Sequence, residues 1–267
     1  DDPSAPTRIA AYQLVDYLER LDVEGIFGLC GHTVIGLLDA LEKSPIKFVS
    51  VRHEQIAAHA ADGYARATGK PGVVLCHLGP GLTNAATGVA NAALDSIPMV
   101  VIAGDIPSYY YGKHPHQEFN LHQDADQFQI YRPFCKRVYR VDNVRDLPRI
   151  VERAFHLAQS GRPGPVLVDV PMDLFSADLA TDAFATTPPE IAKSGLDPAT
   201  AARIVDALAT SRRPVLYAGG GVISARATRE LQALAQRGKG GGNSFGMRAR
   251  RAHLQGERCL GPEQREG

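Results

Sequence analysis

The sequence predicts an α/β fold: a doubly wound, mostly parallel sheet with helices on both faces, followed by an incomplete second α/β domain. Three observations carry that expectation. Short apolar runs alternate with segments long enough to form a crossover helix. Two of the runs, 72–78 and 99–105, are apolar almost throughout, as strands covered on both faces are. The connecting segments are long enough to return the chain parallel to the strand before, with the usual right-handed crossover.

The elements follow in order. Residues 23–29 read as the first strand and 34–42 as its helix; 47–52 is the second strand, and 54–68, rich in alanine, the second helix. The third strand, 72–78, leads through a glycine turn, Gly79-Pro80-Gly81, to a helix over 82–94, and 99–105 is the fourth strand. After a polar loop, a strand over 134–141, a helix over 144–160 and a strand over 165–170 close the first domain, 8–175. Residues 1–7 read as a disordered tail and 176–197, with its prolines and threonines, as a linker. A second domain opens over 198–236 with a helix (199–210), a strand (214–218), a turn at Gly219–Gly221 and a helix (224–237), and is left incomplete. From 237 to 267 apolar periodicity stops and Gly, Lys and Arg dominate, which reads either as an irregular basic tail or as a gene segment translated in a shifted frame.

Composition excludes several classes. Hydrophobic residues make up 44% and charged residues 22%, enough apolar mass for a real core. Lys+Arg and Asp+Glu balance at 29 each, so no global field points to nucleic acid or an anionic membrane. No stretch has the apolar length of a membrane span. Cys30, Cys76, Cys135 and Cys259 show no CxxC spacing, which suits a reducing, cytoplasmic setting.

The chemistry concentrates in two stretches. In the first, Arg52-His-Glu54-Gln is followed by Ala61-Asp-Gly-Tyr-Ala-Arg66, which puts one carboxylate at the mouth of a helix walled by small residues. In the second, Gly79-Pro80-Gly81 is followed by Leu-Thr-Asn84 at a strand–helix junction, where missing Cβ atoms let a ligand approach the backbone. Taken singly, Glu54 could merely complement a helix dipole and the glycines could form a plain turn. A dinucleotide loop is disfavoured, because Asn84 stands where the third glycine of G-x-G-x-x-G belongs.

Together the two stretches resemble the pyrimidine-binding half of thiamine-diphosphate (ThDP) enzymes, nearest the acetolactate synthase-like group. The resemblance covers 8–175 well and 198–236 thinly. It implies a 2-oxo acid decarboxylase or carboligase in which Glu54 is the catalytic acid. Thiamine's 4′-amino group must become an imine to take the C2 proton, and a carboxyl bonded to ring nitrogen N1′ drives that shift. Gly79, Pro80, Gly81 and Asn84 would line the cofactor with Glu54. Phe27-Gly-Leu-Cys30-Gly-His32 stands where the family has Phe-Gly-x-Pro-Gly, so Cys30 replaces a proline and His32 could face substrate. In the loop after the fourth strand, His114, His116 and Gln117 are further substrate-facing candidates, with exposed loop histidines as the plain alternative. A zinc site from His114, His116 and His122 lacks a fourth ligand at a suitable spacing, so no metal site is assigned.

The resemblance also sets expectations about what this half lacks. The family's Gly-Asp-Gly, which with a later Asn holds Mg²⁺ against the diphosphate, is absent from the 267 residues. Only the pyrimidine side of ThDP would be bound, by a chain expected to be inactive alone. The site would be completed in a homo-oligomer, with a contact expected through 81–94, or by a separate diphosphate-domain chain as in split ThDP enzymes. Ala218-Gly-Gly-Gly221 resembles a turn that contacts FAD in some relatives and not in others.

Overall fold

The computed structural model describes residues 6–113, 115–119, 126–185, 187, 190–192, 195–212, 214–239 and 246–249. The chain divides into two compact units at Ala192/Lys193.

In the first unit, strand β1 (Thr7–Ile9) leads directly into helix α1 (Ala10–Arg20). Ala10, Leu14 and Leu18 fall on one face at a spacing of four and are fully buried. The remaining elements are β2 (Gly25–Gly28), α2 (Ile35–Glu42), β3 (Lys47–Ser50), α3 (Glu54–Thr68), β4 (Gly72–His77), α4 (Leu78–Leu94), β5 (Met99–Asp105), β6 (Arg137–Arg140), α5 (Leu147–Gln159), β7 (Pro165–Pro171), α6 (Met172–Phe175) and β8 (Asp178–Ala180). Six strands form one sheet in the order β3-β2-β4-β5-β7-β6, every pair parallel. The expected doubly wound α/β layer is therefore present.

Alternation along the central strands splits the core in two. Val73, Leu75, Val100, Ile102, Val166 and Val168 pack with α1, α2 and α5 on one face. Val74, Cys76, Val101, Ala103 and Leu167 pack with α3 and α4 on the other. Burying each such aliphatic side chain contributes about 1.5–3 kcal/mol, which is why the strands read as unbroken apolar runs. Helices α3 and α4 approach closely: a Cβ on Gly88 would lie 2.5 Å from Ala58 Cβ.

Three features differ from the sequence expectation. Residue 7 belongs to β1, which pairs antiparallel with β8, and Phe184 is buried, so the front of the 176–197 stretch is docked on the first unit. Its row of backbone hydrogen bonds to β1 outweighs its loop-like composition. Gly79-Pro80-Gly81 is the first turn of α4, not a loop before it: Leu78 turns the corner alone with φ 51°. The missed helix α1 stands close to the chain start and begins without a capping side chain, so no N-terminal signal announces it.

The second unit contains α7 (Pro198–Thr210), β9 (Val215–Ala218), α8 (Gly220–Ser224), α9 (Thr228–Lys239) and β10 (Gly246–Ala249). The helix expected over 224–237 begins four residues later, as α9, and the turn expected at Gly219–Gly221 opens the short helix α8, with Arg226 at φ 55° between the two. Strand β10, in the stretch read as irregular, pairs in parallel with β9. Among the described residues no helix is long and apolar enough to cross a membrane.

Candidate functional site

The sheet has one place where successive connections diverge. From β2 the chain passes through α2 to the edge strand β3, then through α3 across to β4 on the other side of β2. The crevice at the carboxyl ends of β2 and β4 is the position where open α/β sheets bind ligands. Gly31 and His32 follow β2, Glu54 follows β3, His77 ends β4, and Gly79 and Gly81 come after it.

Glu54 is the first residue of α3 and only 5% exposed. Its neighbour His53 caps the helix, with Nδ1 accepting a hydrogen bond from the Gln55 amide at 3.3 Å. The carboxylate is held at one oxygen: Asn84 Nδ2 on α4 donates to Oε2 at 3.0 Å. Among the described residues nothing donates to Oε1, and a Cβ placed on Gly81 would stand 3.5 Å from it. The glycine thus leaves open the space in front of the free oxygen of a largely buried carboxyl group. Cys76 lies beside this space, and burial followed by the Glu54 charge pushes its thiol well above the ordinary range. Below it, Tyr131 donates from its hydroxyl to the Leu82 carbonyl at 2.7 Å and seats the first turns of α4.

A second polar group forms the adjoining wall. His77 Nδ1 lies 2.8 Å from Thr33 Oγ1, and Nε2 lies 3.2 Å from Gln117 Oε1. Since the Gln117 oxygen only accepts, neutral His77 carries its proton on Nε2 and the Thr33 hydroxyl donates to Nδ1. The His32 ring packs edge-on against His77 at 4.6 Å between centroids. Burial, then the nearby His32, lowers the His77 pKa, opposed by the Gln117 bond and the Glu54 charge. Backbone fit is tight: a Cβ on Gly31 would meet His77 Cγ at 2.2 Å, and one on Gly79 would meet Phe119 Cγ at 2.5 Å. The glycines therefore let His77 and Phe119 lie directly on the backbone.

The structure brings together Glu54, Gly81 and Asn84 as one group, with Gly79 and Pro80 in the same helical turn. His32 and Gln117 meet at His77. His116 is exposed and takes no part in the hydrogen bonds of that wall; His114 lies outside the described residues, as does His122. Among the described residues no group of three or more His, Cys, Asp or Glu is placed to hold a metal ion. Sequence reasoning missed His77 and Thr33. The signal was available for His77, the last residue of a buried parallel strand, where side chains enter the crevice. Thr33 has no such signature.

Residues 9–129 match the family model described as thiamine pyrophosphate enzyme, N-terminal TPP binding domain. An acetolactate synthase large subunit of Buchnera aphidicola is 41% identical over 222 residues, covering 80% of this chain and 38% of that protein. An acetolactate synthase of Arthrospira platensis is 40% identical over 248 residues (89% and 42%), and the acetolactate synthase large subunit of Corynebacterium glutamicum 42% identical over 241 (87% and 37%). The chain spans about two fifths of the length of these curated relatives. Residues 1–192 are under three quarters of the chain, so matches of this extent reach into the second unit.

Proposed function

Residues 9–129 belong to the thiamine pyrophosphate enzymes, as an N-terminal cofactor-binding domain of the acetolactate synthase-like kind, and on that premise we propose that the chain supplies the pyrimidine half of a site for 2-oxo acid decarboxylation or carboligation. One observation carries the reading: Glu54 is buried, anchored at Oε2 by Asn84, and left open at Oε1 over a residue with no side chain. An open carboxyl oxygen with room in front of it is what a ring nitrogen of an aminopyrimidine would need. When bound, ThDP supplies the electron sink for breaking the bond next to the 2-oxo group.

The chain's own residues then have distinct tasks. Glu54 would hold the aminopyrimidine and give or take a proton at Oε1, while Asn84, donating to Oε2, fixes the rotamer that presents this oxygen. Gly81 would leave the ring its space before Oε1, with Pro80 in the same helical turn and Gly79 covered by Phe119. His32, His77 and Gln117 form the polar wall toward the small 2-oxo acid, His77 holding its proton on Nε2. Mg²⁺ and the diphosphate would be held by a diphosphate domain, either in a longer form of this chain or in a separate one, within an oligomer. The 267 residues alone would not turn over. FAD at Gly219–Gly221 and a cytoplasmic setting belong to the same reading.

The test is ligand-detected NMR of thiamine with the chain and with Glu54→Gln and Asn84→Ala. Thiamine signals should respond to the wild type, with binding weakened about tenfold or more in both variants, the size expected for losing a buried charged hydrogen bond. Equal binding by Glu54→Gln would sink the assignment.

A further inference from the structure

Two further carboxyls lie at the carboxyl end of the sheet and take no part in the site above. Asp105 ends β5, Asp169 lies near the end of the neighbouring β7, and both are essentially inaccessible to solvent. The strand register brings Ala103 opposite Asp169 and Asp105 opposite Pro171, so the two side chains emerge on the same face of adjacent strands. Asp105 accepts from the Ile106 amide at Oδ1 (2.8 Å) and from the Tyr111 hydroxyl at Oδ2. Asp169 accepts from Gln127 Nε2 at Oδ1 (2.8 Å), and its buried Oδ2 meets no hydrogen-bond donor among the described residues.

Those partners stand at the two ends of one segment. Tyr111 is on the outgoing limb after β5, and Gln127 opens the 3-10 turn Gln127–Tyr131 on the return. Between them, Gln117 reaches His77 and Phe119 covers Gly79. We infer that Asp169 donates a hydrogen bond from Oδ2 to Asp105, and that the joined carboxyls are a clasp that fixes Tyr111 and Gln127 and through Tyr111 positions the described residues 115–119, with Gln117 and Phe119, against the site.

Charge supports the arrangement. Arg140 on β6 is the cation facing the pair, its guanidinium 3.5 Å above the Tyr111 ring, and its Nε is already 3.3 Å from Asp142 Oδ1. The other titratable neighbour, Tyr111, is neutral, its hydroxyl pushed far up by burial and by Asp105. Two adjacent buried carboxylates cannot both stay ionised against one shared cation. Burial raises both carboxyls; the Tyr111 bond offsets part of this at Asp105, while the Asp105 charge adds to it at Asp169. The proton therefore resides on Asp169 and Asp105 keeps the charge that Tyr111 and Arg140 neutralise.

The test needs neither cofactor nor turnover. Hydrogen exchange with mass spectrometry on the whole chain compares wild type with Asp169→Asn, Asp169→Val and Gln127→Leu, with α1 peptides as internal reference. Asn keeps an acceptor for Gln127 and replaces the O–H donor by N–H, so Asp169→Asn should keep protection of 106–119 and 126–131 within about twofold of wild type. Asp169→Val and Gln127→Leu should lose about fivefold or more in those peptides and little in α1. If the Asp169→Val variant does not fold, Gln127→Leu against Asp169→Asn carries the comparison. Between pH 6.5 and 9.5 the ratio of wild-type to Asp169→Asn protection should stay flat or fall, since only wild type has a proton to lose. Loosening of the segment in Asp169→Asn at pH 7, failure of that variant to fold, or a ratio that rises with pH would each overturn the clasp.

Discussion

Replacing Gly81 by alanine separates what the fold needs from what a ligand needs. The residue lies in the first turn of α4 with no positive φ, so alanine meets no backbone strain. Its Cβ would stand 3.5 Å from Glu54 Oε1 and from the carbonyl carbon and Cβ of Cys76, which is ordinary contact. A helical glycine costs about 0.5–1 kcal/mol relative to alanine, so Gly81→Ala should stabilise the chain by up to that amount. In a domain of this size that raises the melting temperature by about 1–4 °C. The methyl nevertheless fills the space before Oε1. A ring held off the carboxyl loses a hydrogen bond and meets overpacking, together about 2–4 kcal/mol, or roughly 30-fold to 1,000-fold in affinity. Calorimetry and thiamine titration on the same sample read both quantities. A variant that melts lower and binds thiamine as wild type does would refute the reasoning at both points.

Four further outcomes follow from the same geometry. Gly88→Ala forces a Cβ to 2.5 Å from Ala58 Cβ on a rigid helix, so it should destabilise by about 1–3 kcal/mol in denaturant titration. Tyr131→Phe leaves the Leu82 carbonyl without its 2.7 Å donor and should cost about 1–2 kcal/mol by the same method. The folded His77 pKa lies below its unfolded value, so the neutral ring contributes stability at pH 7 that is lost as pH falls through the acid range; the His77→Gln variant should lose less stability than wild type between pH 7 and pH 5. Among the described cysteines, a thiol reagent should label exposed Cys30 first, because Cys76 is buried and burial pushes the Cys135 thiol up to about 12.

The sheet was legible because burial on both faces writes itself into local sequence. Strands β4, β5 and β7 are flanked on each side by a packed layer, and their apolar runs need no long-range knowledge to read. Strands β1 and β8 were not legible. Each has three residues and exists only by pairing with the other across the length of the first unit. Helix α4 was read four residues short because Gly-Pro-Gly ordinarily marks a turn, and only Leu78 at φ 51° lets a helix begin before it.

The site divides along the same line. Glu54 and the glycines could be read because they sit in two compact motifs, each a single strand–helix junction. The polar wall could not, since it joins Thr33, His77 and Gln117 from three separate connections, and no spacing in the sequence predicts that meeting. Such groups are fixed by topology, which brings the carboxyl ends of β2 and β4 side by side, and by glycines that let side chains lie on backbone. Gly31 has no function visible in its own chemistry, yet any side chain there would collide with His77 at 2.2 Å. A glycine beside a strand end is thus a record of what must lie against it, and Gly31, Gly79 and Gly81 together outline the crevice by the atoms they leave out.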